Sequence, residues 1–274
     1  MKKAMDCKNN GGKTRELNRI RLFLLDMDGT LYLGEKVLPE VFNFFDALEK
    51  NNKNFLYLTN NSSRDRLEYE AKIKRLGLPF YDGCLLTSAD VTVNYLLSQG
   101  SDRKVFLVGT SALKRQFQEA GIILSDSKNC DVAVVGFDTE LTYDKLKGLY
   151  LSVLAGKEYI ATHPDMLCPM EGGFIPDIGA VIAYIESITG RLPDKIMGKP
   201  ERYMMDEATS RFKVSAEDVA VVGDRLYTDI ELANRANATS ILVLTGETSE
   251  RDLEESDIKP DYIFESLLGI IERL

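Results

Sequence analysis

The 274-residue chain has no tryptophan, one histidine and only four cysteines. No two cysteines form a CxxC pattern, so a zinc site of paired thiols finds little support. Cys7, Cys84, Cys130 and Cys168 are scattered thiols that suit a reducing cytosol, which places the chain in the cytoplasm. No apolar run approaches the roughly 18 residues of a membrane span, so no membrane partner is expected. A basic excess is missing too: 34 Lys and Arg stand against 43 Asp and Glu, for a net charge of −9. Without a basic footprint, nucleic acid is not expected as a partner. The N-terminus, MKKAMDCKNNGGKTRELN, starts basic but lacks the apolar stretch of a secretory signal. It reads as a polar tail over residues 1–19. Low-complexity segments and short-period repeats are also missing.

What is present is a strand–helix rhythm. RLFLL is a buried strand, and Pro39 opens a helix to Lys50 with Val41, Phe44, Phe45 and Leu48 on one face. NFLYLT follows, then a helix capped by Ser62 or Ser63 and ended by Gly77, then CLLTS and a helix capped by Ser88. The rhythm continues through KVFLVG, DVAVVGFD and EYIAT, a polar loop HPDMLCPMEGGFIPD, and a helix from Ile178 closed by Gly190. A helix near Glu201–Phe212, the strand DVAVVGD, a helix from Thr228, and the strands SILVLT and YIF complete the chain. About eight strands, nearly all followed by helices, predict an α/β protein with parallel sheet in two modules.

Ligands in open α/β sheets bind beyond the carboxyl ends of strands. Those ends carry Asp26, Asp28, Gly29 and Thr30, then Thr59, Asn60, Asn61 and Ser62, then Asp224, Arg225 and Asp229. Lys199 lies in a loop between them. Strand-end carboxylates are hard oxygen ligands of the kind Mg2+ takes. A bound phosphate would then meet a divalent cation and Lys199, with Thr59 and the following amides donating hydrogen bonds. Two acids one residue apart suit a division of labour, with Asp26 as nucleophile and Asp28 as the acid that protonates the leaving oxygen and then activates water.

DMDGT, LTN, the lysine of GKP and GDRLYTD together resemble the four motifs of the haloacid dehalogenase-like hydrolase superfamily. LTNNSS, the ATHPD…GGFIPDIGA segment and TGRLPDKIMGKP resemble more narrowly its NagD and p-nitrophenylphosphatase-like branch. The resemblance implies a Rossmann-like parallel-sheet core, residues 20–88 and 192–274, with an inserted α/β cap, residues 89–191, that sets substrate specificity. Only 31 residues lie from Asp28 to Thr59, whereas 140 lie from Thr59 to Lys199, which leaves the room for a cap there. It implies a Mg2+-dependent phosphatase of a small phosphorylated metabolite such as a sugar phosphate, a phosphoglycolate-like acid or a nucleoside monophosphate, acting through an aspartyl-phosphate. Catalysis would fall to Asp26, Asp28, Thr59 and Lys199, and metal binding to Asp26, Asp28, Asp224 and Asp229. Substrate contacts would come from Thr59, Asn60, Asn61, Lys199 and, in the cap, His163 and Asp177, near Thr162 and Asp165. His163 and the PDIGA sequence depart from the branch's pattern. Phosphotransfer to another metabolite and a non-catalytic phospho-ligand sensor stay open as alternatives, as does a homodimer through the cap.

Overall fold

The computed structural model describes residues 16–170 and 172–274. Most of the tail expected over 1–19, and Cys7 with it, lies outside the described residues. Its last part is not tail-like: Leu17–Arg19 forms a 3-10 turn, and Leu17 and Ile20 are buried. The chain divides into two compact units. One takes the residues through Leu58, Ile73–Leu86 and Lys199–Leu274; the other takes Thr59–Lys72 and Thr87–Gly198.

The first unit is built on a six-stranded sheet. Its order is Tyr262–Phe264, Thr239–Val243, Val219–Gly223, Leu22–Leu25, Asn54–Thr59 and Leu85–Thr87. The first five of these are parallel to their neighbours. Leu22–Leu25 and Val219–Gly223 lie side by side at its centre and are buried at every position, which is why both read as continuous apolar runs. In chain order these strands run 6-5-4-1-2-3, so the order reverses between Leu22–Leu25 and Val219–Gly223. That reversal is the topological switch point, and Asp26 and Asp224 are the first residues beyond the two strands.

The second unit has its own parallel sheet, ordered Lys195–Ile196, Glu158–Ala161, Val132–Val135, Lys104–Val108 and Ile123–Leu124. The helix Ile178–Thr189 buries Ile178, Ile182 and Ile185 in a core with Val135, Phe137, Leu149 and Tyr159. Each such side chain contributes about 1.5–3 kcal/mol on burial. A cavity of about 240 Å3 lies at the carboxyl ends of Lys104–Val108 and Val132–Val135, lined by Val108, Phe137, Leu146, Asp177, Val181 and Tyr184 among others.

Several local expectations need correction. The helix expected from Ser62 or Ser63 begins at Arg66, after a reciprocal pair in which Glu68 N donates to Asp65 Oδ1 and Asp65 N to Glu68 Oε2. Ser62 is instead buried and bonded to Thr162. Thr87, not Ser88, caps the helix Ser88–Ser98, through a capping box with Asp90. The loop HPDMLCPMEGGFIPD contains an antiparallel hairpin, Leu167–Met170 with Gly173–Pro176. Two prolines and half-exposed strands hide it from periodicity. The helix from Thr228 is a π-helical turn, Leu226–Ile230, continued by Glu231–Ala236.

No helix among the described residues is long and apolar enough to cross a membrane.

Candidate active site

The strand Leu22–Leu25 holds Asp26 rigidly, since Asp26 N donates to Val222 O of the neighbouring strand at 2.9 Å. Gly29, at φ +92°, turns the chain immediately afterwards, and Gly29 N donates to Tyr32 O. This turn carries Asp28 away from the strand direction; its Oδ2 accepts from the Tyr32 hydroxyl at 3.4 Å. The two acids are thus placed by different elements, Asp26 by the sheet and Asp28 by the turn.

Asp26 meets a lysine and two further acids. Lys199 Nζ donates to Asp26 Oδ1 at 2.5 Å and to Asp229 Oδ1 at 2.6 Å. Carboxylate oxygens of Asp26, Asp224 and Asp229 lie within 4.8 Å of one another. All four side chains are nearly buried. Asp229 is delivered by the π-helical turn, a distortion often found at functional sites, and its Oδ2 accepts from Arg225 N at 3.3 Å.

Asp224 is held by a loop that the sequence reading passed over. Glu247 N donates to Asp224 Oδ2 at 2.7 Å, Thr248 N donates to its backbone carbonyl, and Thr245 Oγ1 donates to Gly29 O at 2.6 Å. Thr30 Oγ1 donates more weakly to Asp224 Oδ1, at 3.4 Å. A Cβ on Gly29 or on Gly246 would collide with the Asp224 carboxylate, so both glycines are needed for this close approach. The signal was available: Thr245-Gly246-Glu247 follows the strand Thr239–Val243 at the same sheet edge.

Three carboxylates around one ammonium leave the cluster short of positive charge. Burial pushes the Asp26 carboxyl well above the usual carboxylate range; Lys199 pulls it back, while Asp229 and Asp224 push it up again. Burial and the Asp229 charge push Asp224 up to about 6, against the hydrogen bond from Glu247 N. Burial opposes the charge on Lys199, but Asp229 and Asp26 outweigh it and hold the ammonium above its ordinary range. A buried site of oxygen donors with excess negative charge is what a hard divalent cation such as Mg2+ fits. The only histidine is in another cluster, and among the described residues no sulfur ligand joins this one.

The other expected residues lie in the second unit. Thr59 ends the strand Asn54–Thr59, and its Oγ1 accepts from Asn61 N at 3.2 Å. Asn61 Oδ1 accepts from Ser63 N and Oγ. Asn60 Nδ2 donates to Asp165 Oδ1 at 3.0 Å. His163 is fully buried between Asp165 and Asp177, both also buried.

The chain matches the model of the haloacid dehalogenase-like hydrolases over residues 23–123 and a second HAD-hydrolase-like model over residues 196–270. An acid sugar phosphatase of Staphylococcus haemolyticus is 36% identical over 92% of this chain and 95% of the relative. A 4-nitrophenylphosphatase from Thermotoga maritima superposes with a TM-score of 0.89 at 43% identity, over 93% of this chain and 98% of that one. A glycerol phosphate phosphatase from Mycobacterium tuberculosis, solved in complex with magnesium, gives a TM-score of 0.84 at 30% identity, over 94% of this chain and 79% of that one. With the four motifs in order and the acid cluster at the switch point, the chain belongs to the haloacid dehalogenase-like hydrolase family, in its NagD and p-nitrophenylphosphatase-like branch.

Proposed function

We propose that this chain is a Mg2+-dependent phosphatase that hydrolyses small phosphate monoesters through an aspartyl-phosphate on Asp26. The observation that carries the reading is the buried cluster of Asp26, Asp224 and Asp229 around Lys199. The relatives' names point to sugar phosphates and glycerol phosphate as the first esters to try.

In this reading Asp26, Asp224, Asp229 and Asp28 would hold Mg2+, which would supply positive charge against the phosphoryl oxygens and keep Asp26 ionised. An Asp26 carboxylate oxygen attacks phosphorus, and the bond from phosphorus to the ester oxygen breaks. Asp28 gives its proton to that oxygen, so a neutral alcohol leaves. Asp28 then takes a proton from water as the water oxygen attacks the aspartyl-phosphate. The bond between phosphorus and Asp26 breaks, and inorganic phosphate and the free carboxylate result. Lys199 steadies the Asp26 and phosphoryl charges, and the Thr59 hydroxyl with Asn60 and Asn61 binds phosphoryl oxygens.

Substrate selection is assigned to the inserted cap, residues 89–191, on a core of residues 20–88 and 192–274. Its apolar cavity, with Asp177 in the lining, supports a preference set by the leaving group. A cytoplasmic location and a homodimer through the cap complete the proposal; exposed Tyr143 and Leu154 support the latter.

The test is phosphate release from a panel of sugar phosphates, glycerol phosphate and p-nitrophenyl phosphate, with Mg2+ and with EDTA. Metal-dependent turnover of at least one ester is expected. A protein that hydrolyses none of them with Mg2+ would sink the reading.

A further inference from the structure

The imidazole of His163 is fully buried, with a carboxylate against each nitrogen. Nδ1 is 3.7 Å from Asp165 Oδ2, and Nε2 is 3.6 Å from Asp177 Oδ1. Both distances exceed an N–H···O hydrogen bond, so an attraction across them requires a protonated, charged ring. A neutral ring would leave the two buried carboxylates without that attraction.

We propose that His163 is a positioning residue, a buried imidazolium that clamps Asp165 and Asp177 so that Asp165 orients Asn60. The proposal rests on the phosphatase reading in one respect: Asn60 directly follows Thr59, the residue assigned to the phosphoryl group.

Three segments converge on the ring. Asp165 comes from the loop after the strand Glu158–Ala161, and its other oxygen accepts from Asn60 Nδ2 at 3.0 Å. Asp177 is the N-cap of the helix Ile178–Thr189, and its Oδ1 also accepts from Ile178 N at 2.6 Å. The loop and helix start are joined by main-chain bonds from Asp177 N to Met166 O and from Gly179 N to Asp165 O. Gly179 lacks the Cβ that would strike the carbonyls of Pro164 and Asp165. Gly198 closes the cluster, since a Cβ there would lie 2.6 Å from Asn60 Oδ1 and 2.8 Å from His163 Cβ. The carboxylates that flank the two ring nitrogens are those of Asp165 and Asp177. Asn60 is a neutral amide, Ser62 and Thr162 pair through their hydroxyls, and Gly198 presents no side chain. The clamp therefore fixes which way the Asn60 amide points.

Because the chain has one histidine, the imidazole Cε1–Hε1 signal needs no assignment. In the Mg2+-loaded wild type the ring should titrate at least one unit above the ordinary histidine value of about 6.5. Asp165→Asn and Asp177→Asn should each lower that titration by about one unit. A ring that is neutral at pH 7 in the wild type overturns the proposal, whether or not the protein hydrolyses any ester. In kinetics, His163→Gln should raise KM for p-nitrophenyl phosphate and the inhibition constant of inorganic phosphate together, by about 5–10-fold, with kcat within about 3-fold. Adding Asp165→Asn to His163→Gln should recover thermal stability, because it removes the carboxylate left without its cation. A fall in kcat of about 100-fold at unchanged KM would make His163 part of the chemistry and overturn the positioning role. If His163→Gln does not fold, the wild-type titration and the Asp165→Asn shift still decide. Loss of the phosphatase reading is told apart by the absence of turnover in the wild type itself.

Discussion

Lys199 and His163 are both buried between aspartates, yet their surroundings differ in length and in charge. Lys199 bonds Asp26 and Asp229 directly, at 2.5 and 2.6 Å, and a third acid, Asp224, stands within the same cluster. His163 faces Asp165 and Asp177 at 3.7 and 3.6 Å, and their oxygens also accept from Asn60 Nδ2 and Ile178 N. The first cluster carries more negative charge than its lysine offsets, which is a costly arrangement for a structural contact and a useful one for a cation. The second ties three backbone segments together. An acid cluster that keeps surplus charge is prepared for a ligand; one whose acids are spent on backbone and amide donors is prepared for rigidity.

Removing the nucleophile should break the comparison most sharply. Asp26→Asn should lower turnover by about 10⁴-fold or more, since an amide cannot form the aspartyl-phosphate. The same substitution removes one of three mutually repelling buried carboxylates, so the metal-free protein should melt at a higher temperature than wild type. Thermal melts in EDTA together with assays in Mg2+ check both halves. A variant that keeps its turnover would exclude Asp26 as nucleophile.

Metal and proton should compete at the first cluster. Asp224 is pushed up to about 6, above its value of 3.8 as a free carboxyl. The folded state therefore holds this proton more tightly than the unfolded state. In the metal-free protein that contribution is present at low pH and is lost as pH rises from about 4 through 6. Mg2+ should restore it, so the gain in Tm on adding Mg2+ should be larger at pH 8 than at pH 5. The Mg2+ concentration for half-maximal activity should rise by up to about 10-fold per unit as pH falls below 6. Equal gains at both pH values would remove Asp224 from the metal site.

Two glycines sharpen the contrast further. Gly246→Ala sets a methyl against the Asp224 carboxylate and should raise the Mg2+ requirement by about 10-fold. Gly198→Ala sets one against Asn60 and His163 and should leave the Mg2+ requirement unchanged while raising KM. Metal titrations of both variants at saturating substrate make the distinction. If both variants move the metal requirement equally, the clusters are not functionally separate.

The first cluster was legible because its ligands sit where strand-end rules place them. Asp26 and Asp224 end continuous apolar runs, and those runs are continuous because both faces of the central strands are covered. Lys199 and Asp229 were legible only through the motif order, since a lysine in a loop and an acid in a π-helical turn have no periodicity to read. Asp165 and Asp177 were visible as candidates, but their engagement with His163 was not. It depends on a loop and a helix start that are 12 residues apart and joined by an exposed hairpin with no alternating pattern. The supporting loop Thr245–Thr248 was missed for a different reason. Its work is done by main-chain N–H groups and by the absence of a side chain at Gly246, neither of which has a residue-type signature.

That loop also gives the smallest predicted effect. Thr245 Oγ1 donates to Gly29 O at 2.6 Å, and Gly29 is the residue whose turn separates Asp28 from Asp26. Thr245→Val keeps the shape and removes the bond, at about 1 kcal/mol. Gly29 N still bonds Tyr32 O, and Asp28 still accepts from the Tyr32 hydroxyl, so the turn keeps its course. The expected result is a loss of kcat of about 5-fold or less, with the Mg2+ requirement unchanged because Glu247 N and Thr248 N still hold Asp224. If the Mg2+ requirement of Thr245→Val rises as far as that of Gly246→Ala, the turn and the metal ligands are held as one unit. Placing Asp28 by the turn and Asp26 by the sheet would then no longer be a separation of roles.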